Sequence, residues 1–286
     1  MSIPIVIFHT GGSQDYFVTC VTISSKTNQV YLIGDDSNKS TFSDNPNVLF
    51  FHVNDLGSEE IDQFKKCFVN YSGNAANYEM YCFLRVFYLK SLFKKNGNVW
   101  MFHTDSDCVI LDNINTILNE PTTVSYSVET STNEFHMSAS IHNALLNQEF
   151  CNIFIELCFD IYQNKTKFGV IEKKIQWHQQ TGMPGGICDM TLYYLINRDK
   201  MIDNLVDLNM PIQTYDEKIV FDFNYSSTYG YNGKNTYEME DWYKRIVKRN
   251  GKYYFATTDG NEIRAASIHF QGERAKHVLV NFFGIM

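Results

Sequence analysis

Val99-Trp100-Met101-Phe102-His103-Thr104-Asp105-Ser106-Asp107-Cys108-Val109-Ile110-Leu111 places two carboxylates, one residue apart, between two apolar runs. Strand side chains alternate faces, so in extended backbone Asp105 and Asp107 would point the same way. Two hard oxygen donors on one side of a strand end suit a divalent cation such as Mn²⁺ or Mg²⁺. A bare Asp-x-Asp is also a common polar turn between buried strands. What it means depends on its surroundings.

Upstream, the chain alternates strand and helix patterns. Residues 3–8 form a continuous apolar run that ends at His9-Thr10-Gly11-Gly12, and residues 16–24 read as a short helix. Val30-Tyr31-Leu32-Ile33 is a second run, ended by Gly34-Asp35-Asp36. Residues 48–53 are a third, followed by the acidic helix start Ser58-Glu59-Glu60. Continuous apolar strands imply burial on both faces, as in an α/β sheet covered by helices. Residues 78–94 are the clearest helix, with Met80, Phe83, Leu84, Phe87, Tyr88 and Leu92 at helical spacing. That helix stops at Lys94-Lys95-Asn96-Gly97. Arg85 lies off the centre of its apolar face, which suits an ion-paired surface residue as well as a functional one. Ligands in open α/β sheets bind at the carboxyl ends of strands. Thr10, Asp35 and Asp105 each follow a strand, so they are expected to line one crevice.

Downstream, residues 122–128 read as a strand. Residues 141–162 read as one helix, with Leu145, Leu146, Phe150, Ile153, Phe154 and Leu157 inward. Thr181-Gly182-Met183-Pro184-Gly185-Gly186 is a glycine loop that opens a helix running to about Asn197, and such glycines allow close backbone approach. Residues 224–235 are rich in Tyr, Ser, Gly and Asn and read as a surface loop; residues 225–237 are expected to be a mobile flap near the acceptor of whatever reaction the site performs. Lys248-Arg249-Asn250-Gly251-Lys252 reads as a hairpin turn. Residues 263–270 are a last strand, followed by Gln271-Gly272.

Composition narrows the class. The 286 residues are 44% hydrophobic and 15% aromatic with five prolines, enough for a sizeable core and against long disordered linkers. The net charge of −8, with dispersed basic residues, argues against nucleic acid as a partner. Seven cysteines, an odd number without a Cys-x-x-Cys spacing, suggest neither a disulfide framework nor a zinc site. No signal peptide is recognisable and no apolar run is long enough for a transmembrane segment, so a soluble cytoplasmic protein is expected.

These pieces, in this order, resemble nucleotide-sugar glycosyltransferases of the GT-A fold. Asp105-Ser106-Asp107 looks like the family's Asp-x-Asp motif, and the glycine loop at 181–186 looks like its counterpart. Cys188-Asp189 occupies the place of the x-Glu-Asp motif. His269, followed by Lys276, looks like the carboxyl-terminal metal-binding histidine. The resemblance runs from Ile3 to Lys276. It departs from the pattern at Cys188, where the family carries an acid.

The resemblance implies a single GT-A-like (Rossmann-like) α/β domain over 1–286, a mixed sheet flanked by helices. Its nucleotide-binding half would be 1–111 and its acceptor-binding half 112–286. It implies Mn²⁺ (or Mg²⁺) ligated by Asp107 and His269, with Asp105 on the ribose or on the metal through water. Thr10, Gly11 and Asp35 would hold the base and ribose, Arg85 and Lys276 the phosphates, and Gly185 and Gly186 the donor. The activity implied is transfer of a hexosyl or pentosyl group from a nucleotide sugar, UDP-linked, to a hydroxyl of a carbohydrate or glycan acceptor. Asp189 would be the general base of an inverting reaction; in a retaining one it would bind the acceptor. Two other classes stay open. A nucleotidyltransferase would carry a basic glycine loop near the amino terminus, whereas Thr10-Gly11-Gly12-Ser13-Gln14-Asp15 has no Lys or Arg. A non-catalytic nucleotide-sugar- or carbohydrate-binding protein would keep the fold.

Overall fold

In the computed structural model, which describes residues 2–129, 134–136, 138–214, 216–228, 230 and 235–283, each early apolar run becomes a strand. The order is β1 (Ile5–Phe8), α1 (Asp15–Ser24), β2 (Val30–Gly34), β3 (Val48–His52), α2 (Glu59–Cys67), β4 (Tyr71–Ser72) and α3 (Ala76–Asn96). Then come β5 (Met101–Thr104), β6 (Cys108–Ile110), α4 (Ile114–Ile117), β7 (Ser125–Glu129), β8 (Ser138–Leu146), α5 (Gln148–Tyr162), α6 (Phe168–Thr181), β9 (Gly186–Ile187), α7 (Asp189–Arg198) and β10 (Val206–Asp207). The remainder is β11 (Ile212–Gln213), β12 (Lys218–Val220), β13 (Met239–Glu240), β14 (Tyr243–Lys244), β15 (Ile246–Arg249), β16 (Lys252–Ala256), β17 (Glu262–Ala265), β18 (Ser267–His269) and α8 (Glu273–Phe283).

The central sheet is mixed and has seven strands in the order β10-β7-β8-β5-β1-β2-β3. Strands β5, β1, β2 and β3 run parallel, while β8 is antiparallel to both β5 and β7. A second sheet, β11-β12-β17-β16-β15, is built from the last third of the chain. Helices cover the main sheet, as continuous apolar strands require. Helix α3 buries Phe83, Leu84, Phe87 and Leu92 and ends at Gly97 in the left-handed region (φ 68°), with Lys94 and Lys95 in its last turn. Burying a phenylalanine of this kind is worth about 1.5–3 kcal/mol. Phe87 stacks on Phe64 of α2 at 5.0 Å between ring centres. No helix among the described residues is long and apolar enough to cross a membrane.

Three local expectations are corrected, and a fourth falls partly outside the described residues. Residues 141–162 are not one helix: 138–146 form β8, inserted between β5 and β7, and the helix starts only at Gln148. The Asn147 side chain accepts from Phe150 N and caps α5, so apolar residues on either side of a cap had been merged into one period. Asp105 and Asp107 lie not in extended backbone but in a tight turn, closed by Cys108 N donating to Asp105 O at 3.0 Å. The run 263–270 is split at Ala266 between β17 and β18, which belong to different sheets. The expected flap is anchored at both ends: Tyr225 is buried and stacks on Tyr243 at 5.0 Å, and Tyr237 is buried against Phe255. Residues 229 and 231–234 of that stretch lie outside the described residues.

Candidate active site

The carboxyl ends of β5, β1 and β2 lie side by side, which gathers the loops that follow them. After the Asp105–Cys108 turn, β6 pairs antiparallel with β18 in a register that sets Cys108 opposite His269. That register carries a histidine from the far end of the chain to the aspartate turn. One ligand atom each from Asp105, Asp107 and His269 lie within 4.8 Å of one another. His269 Nδ1 is 2.6 Å from Phe223 O, and a carbonyl can only accept, so Nδ1 carries the proton. Nε2 thereby faces Asp107, 3.4 Å away, donating to it when protonated and offering its lone pair to an ion otherwise. Fixing the second ring nitrogen of a histidine on a carbonyl is how metal-ligating imidazoles are oriented. Without an ion, burial pulls the His269 pKa down, but Asp107 and Asp105 outweigh it and raise it to about 9. Two carboxylates and one oriented imidazole fit Mn²⁺, with Mg²⁺ less favoured by the nitrogen donor.

Behind His269 lies a buried polar layer that periodicity alone did not reveal. The His142 ring stacks on His269 at 4.5 Å, and its Nε2 donates to Asp222 O at 3.2 Å. Asp222 is fully buried and ion-paired with buried Lys244, and its Oδ2 accepts from His269 N at 3.0 Å. Lys244 Nζ also sits over Tyr237 at 4.2 Å. His103 Nδ1 donates to Ile141 O at 2.6 Å, and burial together with the Arg85 charge lowers its pKa to about 4. Burial likewise lowers that of His142, so both imidazoles are neutral at pH 7. Ser140 and His142 sit at period two along β8; reading that stretch as a strand would have found them.

On the other side, Arg85 is committed. Its Nη1 donates to Asp105 Oδ1 at 2.6 Å and its Nη2 to Asp189 Oδ2 at 2.5 Å. Burial alone would raise the Asp105 pKa, but Arg85 and the neighbouring histidines bring it to about 2. The second Asp189 oxygen accepts from Met190 N at 2.9 Å, and the residue is only 3% exposed. Arg85 therefore joins a metal-ligand candidate to the base candidate.

The remaining expected residues divide into two groups. Gly11 N donates to Asp35 Oδ2 at 2.9 Å, His9 Nδ1 meets Ser106 Oγ at 2.9 Å, and half-buried Thr10 lies between them in the chain. Three hydrogen bonds, two from Ser37 and one from Gly11, outweigh slight desolvation and keep the Asp35 carboxyl below its ordinary pKa. Lys276, in the first turn of α8, approaches Asp107 Oδ2 at 3.5 Å and lies over the Tyr16 ring at 4.6 Å. Gly185 and Gly186 line the depressions beside the β4–β9 ladder, which none of the three ion-ligand candidates lines. Gly186 (φ 138°) is a glycine because a Cβ would come within 2.2 Å of Tyr71 O in the β4–β9 ladder. A Cβ on Gly185 would meet the His178 ring at 2.7 Å.

No protein-family model matches the chain, and no curated protein matches it. Among solved structures, the chain is similar to mouse xyloside xylosyltransferase 1 in its apo form, with 11% identity over 73% of this chain and 85% of that one and a TM-score of 0.47. It is also similar to a glycosyltransferase involved in glycosylation of the major capsid of PBCV-1, with 10% identity over 57% and 68% of the two chains and a TM-score of 0.33. The apo form of the glycosyltransferase GlyE of Streptococcus pneumoniae TIGR4 has 12% identity over 70% of this chain and 44% of that one, with a TM-score of 0.37.

Proposed function

We propose that this chain is a metal-dependent glycosyltransferase that moves a hexosyl or pentosyl group from a UDP-linked sugar to a hydroxyl of a carbohydrate acceptor. The observation that carries the proposal is the triad of Asp105, Asp107 and His269, assembled at the carboxyl ends of parallel strands with a lysine beside it. Asp107 and His269, with Asp105, would hold Mn²⁺ (or Mg²⁺), which when bound supplies Lewis-acid stabilisation of a departing diphosphate. Lys276 adds a positive charge on the same side. The ionised Asp35 carboxylate, with Thr10 and Gly11 at the adjoining strand end, would accept from donor hydroxyls. The seven free thiols suit a reducing compartment such as the cytoplasm.

Asp189 as the base of an inverting reaction requires an acceptor hydroxyl to reach one of its remaining oxygen lone pairs, beside those on Arg85 and Met190 N. A second reading keeps the same contacts. Asp189 would then be a fixed anchor for a sugar hydroxyl, and the product would keep the donor's configuration. Incubation with a panel of sugar nucleotides and Mn²⁺ tests the proposal by release of free nucleotide, and NMR of the product anomer separates the two readings. Pyrophosphate release from a nucleoside triphosphate and a sugar phosphate would instead identify a nucleotidyltransferase. Binding without turnover would identify a non-catalytic protein.

A further inference from the structure

His269 is the last residue of β18, where the ladder to β6 ends, so its main-chain groups need partners from elsewhere. One four-residue segment, 222–225, supplies them. Asp222 Oδ2 accepts from His269 N at 3.0 Å, and Tyr225 N donates to His269 O at 2.9 Å. Between them in the chain, Phe223 O accepts from Nδ1 at 2.6 Å. Of the polar atoms of His269, only Nε2 is left to the ion triad.

The segment is itself fastened by Lys244. Its Nζ pairs with Asp222 Oδ1 and its main-chain N donates to Tyr225 O at 3.0 Å, so one residue grips both ends of the segment. The two side chains are 1% and 0% exposed, and the rings of Tyr237 and Phe255 lie 4.2 and 5.3 Å from the ammonium. Asp222 N donates to Ser267 Oγ at 3.0 Å, and Asp222 O accepts from His142 Nε2 at 3.2 Å and Asn143 Nδ2 at 3.3 Å. Stability alone does not call for such a pair, because replacing a buried ion pair by apolar side chains of similar volume is often neutral or stabilising. What apolar side chains would not supply is an acceptor for His269 N.

Resting on the ion-binding reading of Asp105, Asp107 and His269, we infer that Asp222, held by Lys244, is a positioning residue for the ion: it fixes His269 before the ion arrives, with Nε2 facing Asp107. Asp222 acts only through His269, since its Oδ1 is spent on Lys244 and its Oδ2 on His269 N. Phe223 is next in the chain, so fixing Asp222 also fixes the carbonyl that takes the Nδ1 proton. Outer partners of this kind orient metal-ligating histidines, and losing one costs about 10–100-fold in metal affinity.

Two double variants separate this role from support of the core. Both remove the buried charges together: Asp222→Leu/Lys244→Met leaves His269 N without an acceptor, whereas Asp222→Asn/Lys244→Met keeps a side-chain oxygen for it. Mn²⁺ affinity measured by calorimetry should fall at least about tenfold in the first and stay within about threefold of the parent in the second. The visible spectrum of bound Co²⁺, which reads the ligand set, should change in the first alone. In the parent, amide hydrogen exchange at His269 should be slow without an ion and unaltered by Mg²⁺, a test that stands even if the leucine variant does not fold. Equal affinities in the two variants, or exchange at His269 that is fast in metal-free protein and slows only with Mg²⁺, would overturn the inference while leaving the ion reading intact. A parent that binds neither Mn²⁺ nor Mg²⁺ would overturn the ion reading itself, and the role of Asp222 with it.

Discussion

Replacing Arg85 with methionine removes the one charge shared by Asp105 and Asp189. In metal-free protein a carboxyl that titrates near 2 instead of 3.8 contributes roughly 2 kcal/mol at neutral pH, with Arg85 the largest of the groups that lower it. Asp189 is buried more deeply still, with 5% side-chain exposure, and stripping one partner from a buried pair costs about 3–5 kcal/mol. Discounting for the 28% exposure of the Asp105 side chain gives an expected loss of about 2–4 kcal/mol for Arg85→Met at pH 7. The sign with pH follows from the depressed carboxyl. In the parent its stabilisation is fully present above about pH 4 and is lost as pH falls through about 2. In the variant, the Asp105 carboxylate has lost its counter-charge and gains its proton at higher pH, so the gap between the proteins should narrow below about pH 4. Urea unfolding in EDTA at pH 7 and at pH 3, followed by tryptophan fluorescence, measures it. A gap under about 1 kcal/mol at pH 7, or one as wide at pH 3, would refute the idea that Arg85 balances these carboxylates.

Three further outcomes are expected. Asp107→Ala should abolish Mn²⁺ binding measured by EPR or calorimetry and lower the metal-free thermal midpoint, because it strips His269 and Lys276 of their carboxylate partner; undiminished Mn²⁺ affinity would remove it from the ligand set. His103 has a folded-state pKa of about 4 against an ordinary 6.5, so stability present above pH 6.5 should be lost as pH falls towards 4, by roughly 3 kcal/mol. His103→Asn should flatten that slope in unfolding curves, and an unchanged slope would count against it. Asp189→Asn should lower kcat by roughly 10² to 10⁴ if Asp189 is a base, with an inverted product; near-normal kcat or a retained anomer would leave it as an anchor.

The parallel half of the fold was legible because its strands are buried on both faces and its clearest helix carries a stop signal at Gly97. Both kinds of information are local. Strand β8 was hidden because Leu145 and Leu146 fall in helical phase with Phe150 and Phe154 of α5, and only the Asn147 cap separates them. The aspartate pair stood out in sequence, but its partners did not. His269 reaches the turn through the β6–β18 register, and its orientation depends on Phe223 O and Asp222, contacts that no spacing encodes. Arg85 was visible as a polar residue on an apolar helix, yet its two carboxylate partners lie 20 and 104 residues away.

The charges at this site suggest why it would need an ion in order to take a diphosphate. Asp105, Asp107 and Asp189 face Arg85 and Lys276, leaving one uncompensated negative charge when His269 is neutral; Asp222 and Lys244 cancel behind it. In metal-free protein His269 removes the deficit by holding a proton, which is the physical content of its raised pKa. A divalent cation replacing that proton would turn the centre positive by one charge, with the excess on the Asp107 and Lys276 side. Asp189, across Arg85, would remain paired with the guanidinium. One arginine thus keeps the added positive charge on the side of the ion while it balances the base candidate on the other.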